Sequence, residues 1–365
     1  MMRLNMLQKP TWNRLKLNEA LIDNIPELTG SGKSIVEKIP AGVIIGNESC
    51  ADCGGCDLKD SADMKGVKCG MGSEADAFFE KASRDVLMVH SRNGRKVEEP
   101  VSIRYLMENG DANADRVEII AEEGSSLTVI MDYSSSKMNA AGFFGVQTRI
   151  RVGKNARVHL VKVNLLGTGY LCLDDTGVLI EDEGHFDITQ MCLGGGDDYI
   201  GVMADLSGYR SEFNGNMGYL RFKEQSLDMN YHIAHHGKRS VSDLTVSGAL
   251  KDLAKKNFRG TIDLAHGAKG AQGNELEDVL LLSEGVINKT LPVILCDEED
   301  VEGAHGASIG RLSRDMLFYM QTRGFSEKEA ELLAARAKLN SVRNLIKDDH
   351  THGRIQYYME EAFRV

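Results

Sequence analysis

The sequence has 365 residues, of which 42% are hydrophobic and 27% are charged, and this composition is typical of a folded globular protein. No apolar run reaches the roughly 18 residues that a membrane span requires, so a transmembrane protein is excluded. The 43 Lys and Arg residues against 54 Asp and Glu give a net charge of −11, which argues against nucleic acid as the main partner.

The N-terminal segment shows the first helical pattern. Four apolar residues recur there at helical spacing: Trp12, Leu15, Ile22 and Ile25. With a potential cap at Thr11, this pattern predicts a short helix over residues 11–25. The segment lacks the uninterrupted apolar stretch of a secretory signal, so we expect a cytoplasmic protein.

The cysteines are clustered. Four of the seven fall within 20 residues: Cys50, Cys53, Cys56 and Cys69. The Cys-x-x-Cys-x-x-Cys spacing lets three thiolates converge from one tight loop on a soft metal centre, with the last cysteine as the fourth ligand. Structural zinc sites more often use two separated Cys-x-x-Cys pairs, so the spacing favours an iron–sulfur cluster of the [4Fe–4S] type, with zinc as the alternative. A disulfide pair or unliganded thiols are the remaining interpretations.

Residues 86–296 lack any long segment of helical period and instead alternate between apolar and polar residues over short runs, as strands do. Two such alternations place these residues on one face: Met229, Tyr231 and Ile233, then Phe258, Ile262 and Leu264. The 38 glycines and only 5 prolines suit many short strands joined by tight corners. Because the glycines recur at irregular intervals, a sandwich, a barrel and a β-solenoid all remain open.

Histidines recur on and after one of these strands. Alternation places His232 and His236 on one face and His235 on the other, so we do not expect a single three-histidine metal site. A solvated or hydrogen-bonded structural role is the better interpretation for these three. His305 differs from them, because it lies in a glycine-flanked segment just before the C-terminal helices.

The last 55 residues switch to a helical period. Ser313 is predicted to cap a helix that ends at Gly324, and Ser326 with Glu329 forms the capping-box pattern of a second helix. The second helix carries an apolar stripe: Ala330, Leu333, Ala334 and Ala337. A final helix is predicted over residues 354–363.

Residues 291–333 combine a proline-containing strand, an acidic turn, a His-Gly-Ala element, a Phe-Tyr helix and an Arg-Gly break before an Ala- and Leu-rich helix. In chain order these elements are Pro292, Asp300-Val301, His305-Gly306-Ala307, Gly310, Phe318-Tyr319, Arg323-Gly324 and Ala330 to Leu333. The combination resembles the C-terminal signature of the SufB/SufD family of iron–sulfur cluster assembly scaffolds. Weaker likeness upstream, including Phe258-Arg259-Gly260, extends the resemblance over about residues 85–345.

The resemblance implies a mainly β protein with a right-handed parallel β-helix core, helical regions at both ends and dimerisation through the core. We therefore expect an N-terminal region over residues 1–84 that contains the cysteine loop 50–69, a β-helix over 85–310 and a C-terminal helical domain over 311–365. The resemblance also implies that a SufC-like ABC ATPase docks on the C-terminal helices. The expected contact residues are Phe318, Tyr319, Arg323, Gly324 and Leu333.

The resemblance further implies that clusters are assembled between subunits, where His305 would serve as an exchangeable ligand. Many family members carry Cys two residues before the matched His, and this chain has Gly303 there. The candidates for the missing ligand are Cys296, Glu302, Cys172 and Cys192. An isolated strand cysteine is also often a small core residue, which is the competing interpretation for each thiol.

The leading hypothesis is a non-catalytic scaffold that builds iron–sulfur clusters with a separate ATPase, pairs with itself or with a paralogous subunit, and passes clusters to apo acceptor proteins. The alternative is an electron-transfer or redox-sensing protein with a permanent cluster in the cysteine loop. A third reading, a β-helix carbohydrate-active enzyme, would use the carboxylate pairs Asp174-Asp175 or Asp197-Asp198. The single Trp in the chain leaves few platforms for stacking sugars, which argues against that enzyme.

Overall fold

The computed structural model of the protein describes residues 1–11, 13–30, 33–47, 64–83 and 85–364. The strands are β1 Met2–Leu4, β2 Ala20–Ile22, β3 Lys33–Lys38, β4 Val43–Asn47, β5 Val86–Ser91, β6 Val101–Leu106, β7 Ala112–Ala121, β8 Ser126–Ser134, β9 Ala141–Val152, β10 Arg157–Leu165, β11 Gly169–Ile180, β12 His185–Cys192, β13 Asp197–Leu206, β14 Glu212–Arg221, β15 Ser226–His235, β16 Val241–Leu250, β17 Lys255–Leu264, β18 Gln272–Leu281, β19 Ile287–Cys296 and β20 Glu302–Arg311. The α-helices are α1 Ser73–Ala82, α2 Arg314–Thr322, α3 Glu327–Arg343 and α4 Asp349–Arg364.

Strands β5 to β20 wind into a parallel β-solenoid of about eight turns. Consecutive strands alternate between two sheets, so each turn places one strand in each sheet and pairs it in parallel with the strands of the turns before and after. At the N-terminal end, β3 and β4 add one antiparallel strand to each sheet, through β6 and β5. The inward-facing side chains of the two sheets form one continuous apolar core. The expected mainly β fold with a β-helix core is confirmed.

One corner of the solenoid repeats with the same backbone conformation in seven successive turns. Its residues have φ between 52° and 76° and lie 27–31 positions apart: Gly94, Gly124, Asn155, Glu183, Arg210, Arg239 and Gly270. Each donates its backbone N–H to a carbonyl of the corresponding corner in the next turn, as Asn155 does to Asp182. Glycine adopts this left-handed region without strain, but four of the seven positions hold other residues. The turn length is therefore regular although the glycine spacing is not.

The prediction of a helix over residues 11–25 is wrong. That segment contains a short 3-10 helix, Asn13–Leu15, and the strand β2, which pairs antiparallel with β1. Lys16 has a φ of 52°, a value that an α-helix cannot contain. In β2 the buried Ala20 and Ile22 flank the exposed Leu21, so burial there follows a strand period of two.

The first two C-terminal helices, α2 and α3, have the caps that the sequence predicts. The Ser313 side chain accepts a hydrogen bond from the Met316 backbone N–H, Ser326 and Glu329 form the predicted capping box, and Gly324 follows α2 with a φ of 93°. The final helix begins earlier than predicted, because Asp348 accepts hydrogen bonds from the backbone and hydroxyl of Thr351 and so caps α4. Helices α3 and α4 bury apolar residues against the outer face of the sheet that contains β10, β12 and β14.

The N-terminal part contributes α1, whose Ala75 and Phe79 are fully buried against the outer face of the other sheet. Contacts thus join the N-terminal segment, the solenoid and the C-terminal helices. The division into domains at residues 84 and 310 stays a prediction. No helix of the part of the chain that the structure describes has the length and apolar character needed to span a membrane.

Candidate functional site

The C-terminal end of the solenoid is open, because within the described residues β19 and β20 are the last strands of the two sheets. Nine of the ten residues of β20 are exposed, whereas seven of the ten in β14, three turns earlier, are buried. Strand β19 is only half-buried along most of its length. The final turn therefore offers to solvent both a free backbone edge and the side chains of its inner face.

Two of the predicted site residues share that inner face. Ladder partners in parallel, in-register strands point to the same side; His305 partners Glu275, and Cys296 partners Leu264. Glu275 faces the interior, because a Cβ added to Gly260 in the opposite sheet would overlap its carboxylate. Leu264 is buried in an apolar cluster of the last turns. His305 and Cys296 consequently both face the solenoid interior at its open end.

Glu302 does not join them. It is the ladder partner of the exposed Gln272, and its position three residues before His305 places it on the opposite face of β20. Gly303 lies on the interior face instead, where a Cβ would meet Ile294 Cγ2 at 3.3 Å. The position at which many family members carry a cysteine thus faces the interior, and in this chain it holds a glycine.

Glu275 is a third group on this face, and it is not among the residues predicted from the sequence. Its side chain is buried one turn beneath His305 and makes no hydrogen bond with any residue that the structure describes. Burial, and secondarily the nearby Glu277 carboxylate, raises the pKa of Glu275 to about 7. An acidic residue in an alternating strand looks like a solvated surface group, and only the pairing of β18 with β20 places it under the histidine.

A buried ion pair between β17 and β18 lies one turn beneath the open end of the solenoid. Lys256 donates to the Glu277 carboxylate, and Thr290 Oγ1 donates to Glu277 Oε2 at 2.7 Å. Both charged side chains are almost completely buried, so their charges are compensated within the pair. Glu275 therefore differs from Glu277: Glu277 has a cationic partner, whereas Glu275 has none among the described residues.

The inner face of the open end thus carries the His305 imidazole above the buried Glu275 carboxylate, whose pKa is about 7. The Cys296 thiol lies on the same face but four residues farther along β19, since Glu275 faces Gly260, the ladder partner of Pro292. A thiolate is a soft ligand that binds iron and sulfide, whereas imidazole and carboxylate can be protonated and so release a metal. The arrangement suits binding and release of a metal or cluster at a face that is exposed to solvent.

The remaining candidate thiols lie elsewhere. Cys172 and Cys192 are buried in β11 and β12, four turns before the open end. Arg221 donates to Cys192 Sγ, and burial raises the pKa of both thiols. Neither residue supplies a ligand to the open end of its own chain, and both belong to the packed interior.

The carboxylate pairs proposed for sugar hydrolysis are divided between the two faces of their strands: Asp174 and Asp198 face the solenoid interior, whereas Asp175 and the exposed Asp197 face outwards. Asp174 accepts from Lys162 Nζ at 2.5 Å, and Asp198 lies 2.7 Å from Arg221 Nη1. The cavity beside them measures only about 10 Å³, which is too small for a sugar ring. The carbohydrate-active reading therefore has no cleft at these residues.

The histidine cluster has the predicted structural role. Both ring nitrogens of His235 lie 2.8 Å from serine hydroxyls, those of Ser240 and Ser242, and burial lowers its pKa to about 4. His232 and His236 instead lie beside Asp263 and Asp205 respectively. The three rings do not converge.

Of the four clustered cysteines, only Cys69 lies within the described residues; Cys50, Cys53 and Cys56 fall outside them. Cys69 is 8% exposed and lies against β11, with Asp76 and Asp175 nearby. Burial, and secondarily the Asp175 carboxylate, raises the pKa of its thiol well above the usual range. The four-cysteine centre stays a prediction.

The residues predicted to contact an ATPase lie on an exposed surface. Helix α2 has no buried residue, and Phe318 and Tyr319 are 68% and 54% exposed. The Arg323 guanidinium lies 5.2 Å from the centre of the Tyr319 ring. The apolar stripe on α3 is only partly buried, since Ala330 is buried whereas Leu333 is 46% exposed. Apolar surface on α2 and on one edge of α3 is thus left uncovered.

Comparison with known proteins identifies what the chain is similar to. A family model described as SUF system FeS cluster assembly, SufBD core domain, matches residues 105–338. The iron-sulfur cluster assembly protein SufD of Bacillus subtilis is 30% identical over 240 residues, which cover 65% of this chain and 55% of that relative. SufD of Escherichia coli is 22% identical over 270 residues, covering 74% and 61% respectively. The chain spans about half to two thirds of the length of these relatives. The matched region includes Glu275, Cys296 and His305 but not the cysteine loop.

Proposed function

Because the chain belongs to the SufBD core family of the SUF iron–sulfur assembly system, we propose that it is a non-catalytic scaffold on which iron–sulfur clusters are built and from which they are transferred. The observation that carries this proposal is the placement of Cys296 and His305 on the interior face of an open solenoid end. The cluster is cargo here, and a mixed thiol and imidazole ligand set favours both capture and release.

A second subunit, either another copy or a paralogue, completes the site in this proposal. Iron in clusters takes several ligands, and the open end of one chain contributes a single thiol among its described residues. Among the described strands, β19 and β20 each have one unpaired edge, and this last turn exposes apolar side chains such as Ile287 and Ile309. Pairing of two such ends would satisfy the edges and bring two sets of ligands together.

Assembly is tested by cluster transfer. His305→Ala in the full chain, reconstituted anaerobically with iron and sulfide, is expected to lose transfer to an apo acceptor protein while it unfolds near the wild-type temperature, since His305 is exposed. The matched control is His236→Ala, which removes an exposed histidine from the outer face of the solenoid. Normal transfer by the His305 variant would contradict the proposal.

The same assay separates the scaffold from a redox protein with a permanent cluster. If the cysteine loop held a permanent functional cluster, replacing Cys50, Cys53, Cys56 and Cys69 by Ser would abolish the redox activity together with the cluster. The scaffold proposal expects this variant to keep handing clusters to the acceptor. A wild-type chain that keeps its cluster through repeated reduction and oxidation and passes none to the acceptor, together with loss of the cluster in the quadruple variant, would favour the redox alternative.

The ATP-driven step is assigned to a SufC-like ABC ATPase that docks on α2 and the adjoining edge of α3. Support comes from the apolar side chains Phe318, Tyr319 and Leu333, each of which is about half or more exposed. Phe318→Ala with Tyr319→Ala is expected to lose co-purification with the ATPase at an unchanged melting temperature. Tyr357→Ala, which removes an equally exposed aromatic ring from α4, is the control that should retain it. Retention by the double variant would place the docking surface elsewhere.

A further inference from the structure

A second cluster of potential metal ligands lies far from the open end, where the N-terminal segment crosses the outer face of the solenoid. Three elements contribute one ligand each: Cys69 from the segment before α1, Asp76 from α1, and Asp175 from β11. The Cys69 Sγ and one carboxylate oxygen of each aspartate all lie within 4.8 Å of one another. Such spacing is compatible with coordination of a single ion.

The ligands are held in place by neutral groups around them. Gln147 Nε2 donates to Asp76 Oδ1 at 2.8 Å and to Asp175 Oδ2 at 3.1 Å, and the Met71 backbone N–H donates to Asp175 Oδ1 at 2.9 Å. Each carboxylate oxygen has a second lone pair, so these bonds leave room for a metal. Hydrogen bonds of this kind orient ligands in metal sites.

The backbone beside the thiol is also fixed. Arg149 Nη2 donates to the carbonyls of Met64 and Val67, at 2.9 and 3.0 Å, and anchors the turn before Cys69. A Cβ on Gly177 of β11 would overlap the Lys68 carbonyl and lie 2.9 Å from Cys69 Sγ. Glycine at this position therefore lets the thiol approach the strand that carries Asp175.

The described cations compensate only part of the charge that these three groups would carry: Arg149 and Lys162 act on them from a distance, and each has another partner. No Lys, Arg or His of the described residues forms an ion pair with Asp76 or Asp175, and the nearly buried Cys69 thiol has no hydrogen-bond partner among them. Burial raises the pKa of Asp175 to about 7 and that of Cys69 further above its usual range. In the absence of a bound cation, burial favours the protonated forms of Asp175 and Cys69.

We propose that Cys69, Asp76 and Asp175 together bind one divalent transition-metal ion of the zinc and ferrous-iron class. One thiolate with two carboxylates is a donor set that borderline metals accept, and a fourth position remains for water. Binding replaces the thiol proton and any carboxyl proton, which pass to solvent, by the doubly charged cation. The ion would tie the N-terminal segment and α1 to β11.

This proposal does not depend on the scaffold function. It does compete with the four-cysteine centre, since both need the Cys69 thiolate. Cobalt(II) is the suitable probe, because a cobalt–thiolate bond gives an absorption band in the near ultraviolet that carboxylate ligands alone do not give.

The experiment titrates the full chain with cobalt(II) after treatment with a chelator. The wild-type chain is expected to show the thiolate band, and Cys69→Ser to lose it. Asp175→Asn, which keeps the side-chain shape, is expected to weaken cobalt binding by about tenfold or more. The triple variant with Ser at Cys50, Cys53 and Cys56 is expected to keep the band. Cys296→Ser is added to every chain that is titrated, because this exposed thiol is itself a candidate ligand at the open end.

Two results would overturn the site: a wild-type chain without a thiolate band, or loss of the band in the triple variant. Because Cys69→Ser removes a buried group, its circular dichroism and melting temperature are compared with those of Asp175→Asn. Wild-type affinity in a folded Asp175→Asn variant would also exclude the proposed ligand set.

Discussion

Two regions of the solenoid interior carry ionisable side chains, and they differ in how those charges are satisfied. In the middle turns, Lys162 meets Asp174 at 2.5 Å and Arg221 meets Asp198 at 2.7 Å, with every one of these side chains nearly or fully buried. At the open end, Glu275 has no ionic partner among the described residues, and His305 above it is exposed.

This contrast separates ionisable groups that stabilise the solenoid from groups that are available to bind a ligand. Charges that are paired and buried on both sides by neighbouring turns hold the two sheets in register and leave a cavity of only about 10 Å³. At the open end, His305 has no covering turn among the described strands, and Glu275 one turn before it has no cationic partner there, so both keep unused bonding capacity. The same inward-facing ladder positions therefore stabilise the middle of the solenoid and offer ligands at its end.

The largest expected effect comes from breaking a closed pair in the middle turns. Arg221→Met leaves Asp198 buried without its cationic partner, and we expect the free energy of unfolding to fall by about 3–5 kcal/mol. Urea unfolding measures the change. Arg157→Met, which removes an exposed arginine from the edge of β10, is the control and should change stability little. Equal free energies of unfolding for the two variants would show that the buried ion pair contributes no more to stability than a solvated charge does.

Glu275 sharpens the comparison through its pH dependence. Its pKa of about 7 in the folded protein exceeds the ordinary value of 4.5, so the folded state holds an extra proton between these pH values. Stability should therefore fall as the pH rises through this window, by up to about 3 kcal/mol, and then level off. Glu275→Gln should abolish this part of the slope in urea unfolding at different pH values. A variant with an unchanged slope would show that the carboxylate is solvated.

The smallest expected effect concerns two ladder partners in neighbouring turns, one covered by the last turn and one in the last turn itself. Val279 and Ile309 are ladder partners in β18 and β20, yet Val279 is 1% exposed and Ile309 is 48% exposed. Val279→Ala is expected to lower the free energy of unfolding by about 2 kcal/mol, since it leaves a cavity. Ile309→Ala should cost the single chain less than about 0.5 kcal/mol.

The second measurement on this pair is the mass of the particle in solution. Ile309→Ala is expected to shift the protein towards the single chain, because it removes apolar surface from the end that we propose a second subunit covers. Val279→Ala should leave the oligomeric state unchanged. An oligomer that survives Ile309→Ala with its affinity intact would argue that the open end faces solvent in the assembly.

Much of the fold could be predicted from the sequence. The strand alternation around Tyr231 and Phe258 and the capping box at Ser326 depend on neighbours close in the chain, and each is confirmed. The helix over residues 11–25 failed because the positive φ of Lys16 and the pairing of β2 with β1 are tertiary effects. The solenoid repeat could not be recognised from glycine spacing, because four of the seven left-handed corners hold other residues.

For the candidate site, the sequence by itself determined which chemistry was available: His305 and Cys296 next to a family-like segment, and a clustered set of cysteines. Only the tertiary structure decided which of these groups meet. Parallel stacking places Glu275 beneath His305 although 30 residues separate them, and it turns Glu302 to the opposite face. The physical reason is the period of two along a strand combined with the register between turns, since a shift of one residue would reverse every side chain on the open face.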